Sequence, residues 1–389
     1  MNQGKYVFAQ IAQFLPSRVF DRCVSHYDGN KWIKHFTCWN QMMSMMFGQL
    51  SGRESLRDLL VCISAHKSKF YHLGFGKNIS RSNLANANEK RDYRIYEEFA
   101  YALIAQARIS CHDDDFALDI QGEVYAFDST IINLCLNVFW WAKFRSTKSG
   151  IKLHTLYDVK TTIPSFILIT NAALNDMESL DELNYEANAF YILDRGYMDF
   201  TRLHTIHMHS AYFVTRAKNK LRFKRVQSNS VNKQTGVLVD QIIKLSVFYS
   251  RIGFPDNLRR IKFYDKIENK TLVFITNNLK LPAENIALLY KYRWKIELFF
   301  KWIKQHLKIK SFWGTSPNAV KSQVYIAIIT YTLVALIKSK VKTDLSTYEI
   351  LQILSVSLLD KTPMNELLTN LSYQDVNELY ANQLTMNLI

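Results

Sequence analysis

Acidic residues are scarce in this chain. Its 389 residues hold 34 Asp and Glu against 49 Lys and Arg, a formal charge of +15 and a sequence pI near 9.4. So basic a balance points to a polyanionic partner, either nucleic acid or an anionic membrane surface. Glycine and proline are also sparse, at 12 and 6, while Phe, Tyr and Trp number 24, 21 and 7. That composition excludes a disordered basic chain. Cysteine is limited to Cys23, Cys38, Cys62, Cys111 and Cys135. An odd, scattered set with no Cys-x-x-Cys pair excludes a disulfide framework or a zinc ribbon and suits a reducing cytosol. Long apolar runs are missing too. Val324 to Ile337, the longest, covers 14 residues and is interrupted by Thr330 and Thr332, whereas a spanning helix needs roughly 20. "MNQGKYVFAQ" has no signal-peptide apolar region. The Val324–Ile337 run reads as a buried helix, no membrane partner is expected, and nucleic acid remains.

What is present is a large apolar fraction, 48%, enough for two or three packed units. Residues 1–75 read as short amphipathic helices, with a break at Ser51-Gly52 and a new helix from Arg53 or Glu54. Residues 76–118 read as a helical linker region, with Ser82 as a cap. In it, Asp113, Asp114 and Asp115 read as a solvated loop. From Gly122 the period becomes that of strands. "EVYAFDSTIINL", "GIKLHTLYDV" and "PSFILITNAAL" come first, then a short helix, "AFYILDRGY", a helix and "YFVTRAK". This order predicts a mixed α/β sheet covered by helices. Residues about 219–282 read as a β-rich insertion with no helix between its strands. From Glu284 onward the chain reads as helical to its end, and residues 341–389 form a C-terminal helical region.

Asp128 lies inside the strand-like "YAFDST", and Asp194 ends the apolar run "FYILD". A carboxylate within a buried strand is costly unless it is paired or binds a metal. Glu297 supplies a third, on the helix "YKYRWKIELFFKWIK". At about 100° per residue, Arg293, Glu297 and Lys304 fall within roughly 40° of one another, and Tyr290 within about 60° of all three. Ile296, Phe299, Ile303 and Leu307 occupy a different face. An exposed Arg293–Glu297 pair would explain two of the four polar residues but leaves Tyr290 and Lys304 without a reason. Oxygen ligands of this kind suit hard divalent cations, and two such ions can serve phosphoryl transfer. His204, His207 and His209 read as a helix face, with no cysteine or acidic partner spaced for zinc.

"DST", "DRGY" and Tyr-x2-Arg-x3-Glu-x6-Lys, in this order and with intervals of 66 and 103 residues between the acids, resemble a DDE transposase of the IS4 family of insertion sequences. The resemblance covers about residues 120–335. It implies an RNase H-like catalytic domain over residues 119–340: a five-stranded mixed sheet with helices on both faces. Asp128 would lie on the first strand, Asp194 on the fourth, and Glu297 on the helix after the insertion. These three would be the catalytic metal ligands, holding Mg2+ in a two-metal site with Mn2+ able to substitute. Tyr290, Arg293 and Lys304 would grip phosphates, and Trp294 would stack on an extruded base. Lys143, Arg145, Lys148 and Lys152 around the first hairpin, and Lys218, Lys220, Arg222, Lys224 and Arg225 before the insertion, are further phosphate candidates.

The implied partner is double-stranded DNA, both the element's terminal inverted repeats and the target, engaged by a dimer in the synaptic complex. Residues 1–75 resemble the small N-terminal domain of many such transposases in Bacteroides-type bacteria. That domain is expected to recognise DNA ends, with the helices around Ser51-Gly52 forming either a helix-turn-helix or a dimer contact. A bacterial cytoplasmic location, at the nucleoid when DNA is bound, would follow. A metal nuclease without strand transfer and a domesticated DNA-binding protein are the alternatives.

Overall fold

The β-branched and aromatic runs after Gly122 form strands because their side chains alternate between two apolar faces. In the computed structural model, which describes residues 4–73, 75, 79–111, 116–306 and 312–369, these are β1 (Val124–Leu134), β2 (Lys143–Arg145), β3 (Lys148–Asp158), β4 (Ile163–Asn171), β5 (Phe190–Leu193) and β6 (Tyr212–Arg216). The insertion contributes β7 (Phe223–Ser228), β8 (Val237–Leu245), β9 (Leu258–Asp265) and β10 (Lys270–Thr276). Asp113, Asp114, Asp115 and Leu307 lie outside the described residues.

β1 is central. It runs antiparallel to β3 and parallel to β5, β5 runs parallel to β6, and β4 pairs with β3. The order β4-β3-β1-β5-β6 is the expected RNase H-like mixed sheet. The insertion departs from expectation in two ways. Its strands do not stand apart: β10 pairs with β6, and β9, β8 and β7 follow, giving one ten-stranded sheet. A helix, α9 (Phe248–Gly253), also lies between β8 and β9, where none was expected.

Among the described residues, seven helices precede the sheet: α1 (Val7–Ala12), α2 (Ser17–His26), α3 (Cys38–Leu50), α4 (Leu56–Ala65), α5 (Lys67–His72), α6 (Arg81–Lys90) and α7 (Arg94–Ser110). Within and after it come α8 (Phe200–Met208), α9 (Phe248–Gly253), α10 (Ala283–Lys291), α11 (Trp294–His306), α12 (Pro317–Val341), α13 (Thr347–Ser357) and α14 (Met364–Thr369). α3 stops at the expected break, where Gly52 takes φ +66°, and Ser55 caps α4. α6 is capped by Ser80, not Ser82: its hydroxyl accepts the Asn83 amide proton.

The two sheet faces carry separate apolar clusters. Val124, Ala126, Phe190 and Ile192 face the side of α7, α11 and α12, while Tyr125, Phe127, Tyr191 and Leu193 face α8. α12 is apolar and long enough to cross a membrane, but its most apolar window is 94% buried inside the protein. It forms the axis on which α3, α6 and α7 pack. Two of its buried polar side chains are satisfied internally: Thr330 donates to Ile326 O at 2.8 Å, and Gln323 Oε1 accepts the Trp313 amide at 2.8 Å; the Ser322 and Thr332 hydroxyls are buried without a partner among the described residues. The N-terminal helices share this apolar cluster with the sheet. α3 is enclosed along nearly its whole length.

Candidate active site

The stretch expected to be a single helix, Tyr290–Lys304, is two. α10 ends at Lys291 and α11 begins at Trp294, with tight bonds from Tyr292 N to Leu289 O (3.1 Å) and from Arg293 N to Tyr290 O (3.2 Å) across the turn. The turn leaves Tyr290 in the last turn of α10, packed on Phe274 of β10 with ring centroids 5.0 Å apart. Glu297 stands in the first turn of α11, where a carboxylate is favoured by the helix dipole.

Parallel pairing sets Phe127 of β1 against Leu193 of β5. The next residues, Asp128 and Asp194, therefore emerge side by side. Asp128 Oδ1 accepts the Ser129 amide at 2.8 Å. Asp194 accepts the Gly196 amide at 3.3 Å, capping the short helical turn of "RGY". The four polar residues of Tyr-x2-Arg-x3-Glu-x6-Lys lie around this point. The Tyr290 hydroxyl donates to Asp194 Oδ1 at 3.4 Å. Arg293 donates from Nη1 to Asp128 Oδ2 at 3.0 Å and from Nη2 to Glu297 Oε1 at 2.5 Å. Lys304 donates from Nζ to Thr130 Oγ1.

The site pushes the two aspartates apart in acidity. Burial raises Asp128 to about 6; the Ser129 amide and Arg293 oppose this, and the charges of Asp194 and Glu297 add to it. Burial also acts to raise Asp194, but the amides of Gly196 and Arg195, the Arg293 charge and the Tyr290 hydroxyl outweigh it and hold Asp194 below its ordinary range. For Arg293, burial is outweighed by Tyr290, Asp128 and Glu297, so its guanidinium is held above its usual value.

These all-oxygen donors fit a hard divalent cation in type. They do not yet form a closed ligand set: among the described residues no group of three or more His, Cys, Asp or Glu is gathered to hold a metal. The Arg293 guanidinium, bonded to both Asp128 and Glu297, occupies the space between two of the three.

The other expected contacts divide. Trp294 is 57% exposed and free to offer its ring. Lys143, Arg145 and Lys148 are exposed around the β2–β3 hairpin, as are Lys220, Arg222, Lys224 and Arg225 at the insertion. Lys152 is a correction. It is buried, its Nζ donating to Leu174 O at 2.6 Å and lying 3.1 Å from Asp176, so it belongs to the interior and is not offered to DNA. Lys152 shares its face of β3 with His154 and Leu156, the latter in the apolar cluster of α8, a direction that spacing alone could not reveal.

Three residues near the carboxylates were missed. Thr130 receives Lys304, the Ser129 hydroxyl donates to Asp176 at 2.6 Å, and the charges of Asp128, Asp176 and Asp194 all act on Tyr197, whose phenol burial raises further. Thr130 could have been found as the next same-face residue after Asp128 on a strand; Asp176 had no local signal. An acidic partner for the histidines also appears, since Asp256 lies 3.2 Å from His204 Nε2 and 3.8 Å from His207 Nε2. His207 is nonetheless no ligand. Asn277 accepts the Phe213 amide through Oδ1 and donates through Nδ2 to His207 Nδ1, leaving the Nε2 proton for Asp256.

A mixed sheet thus sets two aspartates side by side, with a helix-borne glutamate joined to one of them through Arg293, the kind of carboxylate set that phosphoryl-transfer enzymes use. The family described as "Transposase DDE domain" matches residues 120–333, and a domain of unknown function (DUF4372) matches residues 3–76. The Sinorhizobium fredii protein named as transposase y4zB is 35% identical over 258 residues, covering 65% of this chain and 70% of that protein. A Geobacillus stearothermophilus protein named as a transposase for insertion sequence element IS5377 is 28% identical, over 53% of this chain and 54% of that protein. A Synechocystis protein named as a transposase for insertion sequence element IS4SA is 26% identical, over 70% and 76%. A solved piggyBac transposase synaptic complex with hairpin DNA aligns over 98% of this chain and 85% of that one, at 12% identity and a TM-score of 0.43. The chain belongs to the DDE transposase family and is a DNA transposase. Dependence on a divalent metal goes with that domain.

Proposed function

We propose that Asp128, Asp194 and Glu297 are the catalytic carboxylates of an IS4-type DDE transposase that cleaves at insertion-sequence ends and joins the freed 3′-OH to target DNA. The observation that carries this reading is the convergence of two signature side chains on the three acids: Tyr290 on Asp194, and Arg293 on both Asp128 and Glu297. The three carboxylates would hold Mg2+, with Mn2+ able to substitute. When bound, the metal supplies Lewis-acid stabilisation of phosphorane charge and lowers the pKa of the attacking water or hydroxyl.

The chain's own residues do the rest. Asp128, raised by its surroundings, gains most from a cationic partner. The Tyr290 hydroxyl orients Asp194 by hydrogen bonding. Arg293 and Lys304 present positive charge where a phosphodiester would lie across the carboxylates, in a half-buried site where such charge is worth more than in water. Exposed Arg145 and Lys148 extend that positive surface and act on affinity and salt dependence. Two copies would join the element's ends in a synaptic dimer, with residues 1–75 recognising the terminal repeats.

The test uses Asp128→Asn, Asp194→Asn and Glu297→Gln in the full chain, each checked for native circular dichroism. Each is expected to lose Mg2+-dependent cleavage by at least about 1,000-fold, about 4 kcal/mol of barrier, while still binding end DNA. Full cleavage by any one removes that residue from the assignment. A pre-cleaved 3′-OH end separates transposition from simple nuclease action: cutting without joining would favour the nuclease.

A further inference from the structure

Where the insertion strands join the catalytic sheet, β6, β9 and β10 enclose a cavity of about 310 Å³. Arg195, Arg216, Lys218 and Arg260 line it, beside Phe223 and Leu272, and no carboxylate is among the described residues that do so. Among the described residues, Arg260 and Lys218 bond neutral groups. Arg260 donates to the neutral Gln241 side chain at 3.3 Å and lies 5.2 Å from the Phe223 ring. Burial pushes its guanidinium below the ordinary value. The Nε of Arg216 is buried and has no hydrogen-bond partner among the described residues. Lys218 donates to Met198 O at 3.0 Å, a neutral carbonyl.

Half-buried guanidinium groups without a counter-anion are costly, and a concave site lined by one sign of charge concentrates the opposite sign. The cavity also adjoins the carboxylate site. Arg195 directly follows Asp194, and the charge of Arg216 reaches the Tyr290 phenol that bonds Asp194. Its volume exceeds what one phosphate group needs, and its apolar wall suits a sugar.

We propose that this cavity seats one phosphodiester of the DNA strand leaving the carboxylate site, its phosphate on Arg195, Arg216 and Arg260 and its sugar against Phe223 and Leu272. The inference rests on the reading of Asp194 as a catalytic residue. It adds a binding position next to Asp194, through residues other than Arg293.

The probe is a fluorescein-labelled dT4 oligonucleotide, titrated into the full chain in EDTA and read by anisotropy. Arg216→Gln and Arg260→Gln are each expected to weaken binding at least fivefold, with Arg260→Lys losing less. Lys266→Gln, an exposed cation that does not line the cavity, should stay within twofold. Should Arg260→Gln fail to fold, Arg195→Gln at the half-exposed rim carries the same expectation. Wild-type binding by the cavity variants, or an equal loss in Lys266→Gln, overturns the proposal. Asp194→Asn keeps the two readings separable. It should bind dT4 normally yet not cleave, and full cleavage would sink the catalytic assignment without touching the cavity.

Discussion

The Arg293 guanidinium meets the Asp128 carboxylate at 3.0 Å across 165 residues of chain, and the same guanidinium holds Glu297. One side chain thus gathers two of the three acids onto a common point. Lysine at this position keeps the charge but has a single ammonium and no fork to span both carboxylates. Arg293→Lys is therefore expected to cut the rate of end cleavage by about 100-fold, the order of loss that follows from misplacing reacting groups. Single-turnover cleavage of a plasmid carrying the element's own termini measures it. A wild-type rate would show that bridging is unimportant.

Lys152 should behave as an interior residue. Replacing it with Met strands the Leu174 carbonyl and removes the charge beside Asp176. Because Asp176 is 44% exposed, the loss is expected near the low end for a broken ion pair, about 1–3 kcal/mol in urea unfolding. The salt slope of DNA binding should not move. A slope reduced by about one would mean that Lys152 does meet a phosphate.

His154 links stability to pH. Its ring is fully buried on β3, and burial, opposed by Asp176 and reinforced by Lys152, depresses it to about 4. The folded ring is therefore neutral, while the unfolded one takes a proton below about 6.5. Stability from this group is present above pH 6.5 and is lost as pH falls toward 4, by about 3 kcal/mol in full. His154→Asn is expected to flatten the wild-type decline in urea midpoint over that window. Parallel curves for the two proteins would refute the assignment.

Trp294 stands at the start of α11, 57% exposed, beside Arg293. Trp294→Ala should leave the unfolding free energy within about 0.5 kcal/mol. The loss of an aromatic stacking surface should instead slow end processing by the equivalent of about 1–3 kcal/mol. A destabilised variant that still cleaves normally would assign Trp294 to packing.

The five strands of the expected sheet and the helix break at Ser51-Gly52 could be read from the chain because each depends on residues within a few positions of one another. The same holds for the spacing of Tyr290, Arg293, Glu297 and Lys304, a pattern compact enough to suggest a common target before any fold was in view. Side-chain period and hydrogen-bonding chemistry are local properties, and they survive without knowledge of what packs against them. The join of β10 to β6, the burial of Lys152, the approach of Asp176 to Ser129 and the cavity around Arg216 and Arg260 had no such trace. Each depends on a partner supplied by distant chain. The turn at Tyr292 and Arg293 is of the same kind: helix propensity favours continuity there, and packing Tyr290 on Phe274 while Glu297 reaches Arg293 bends the chain against it.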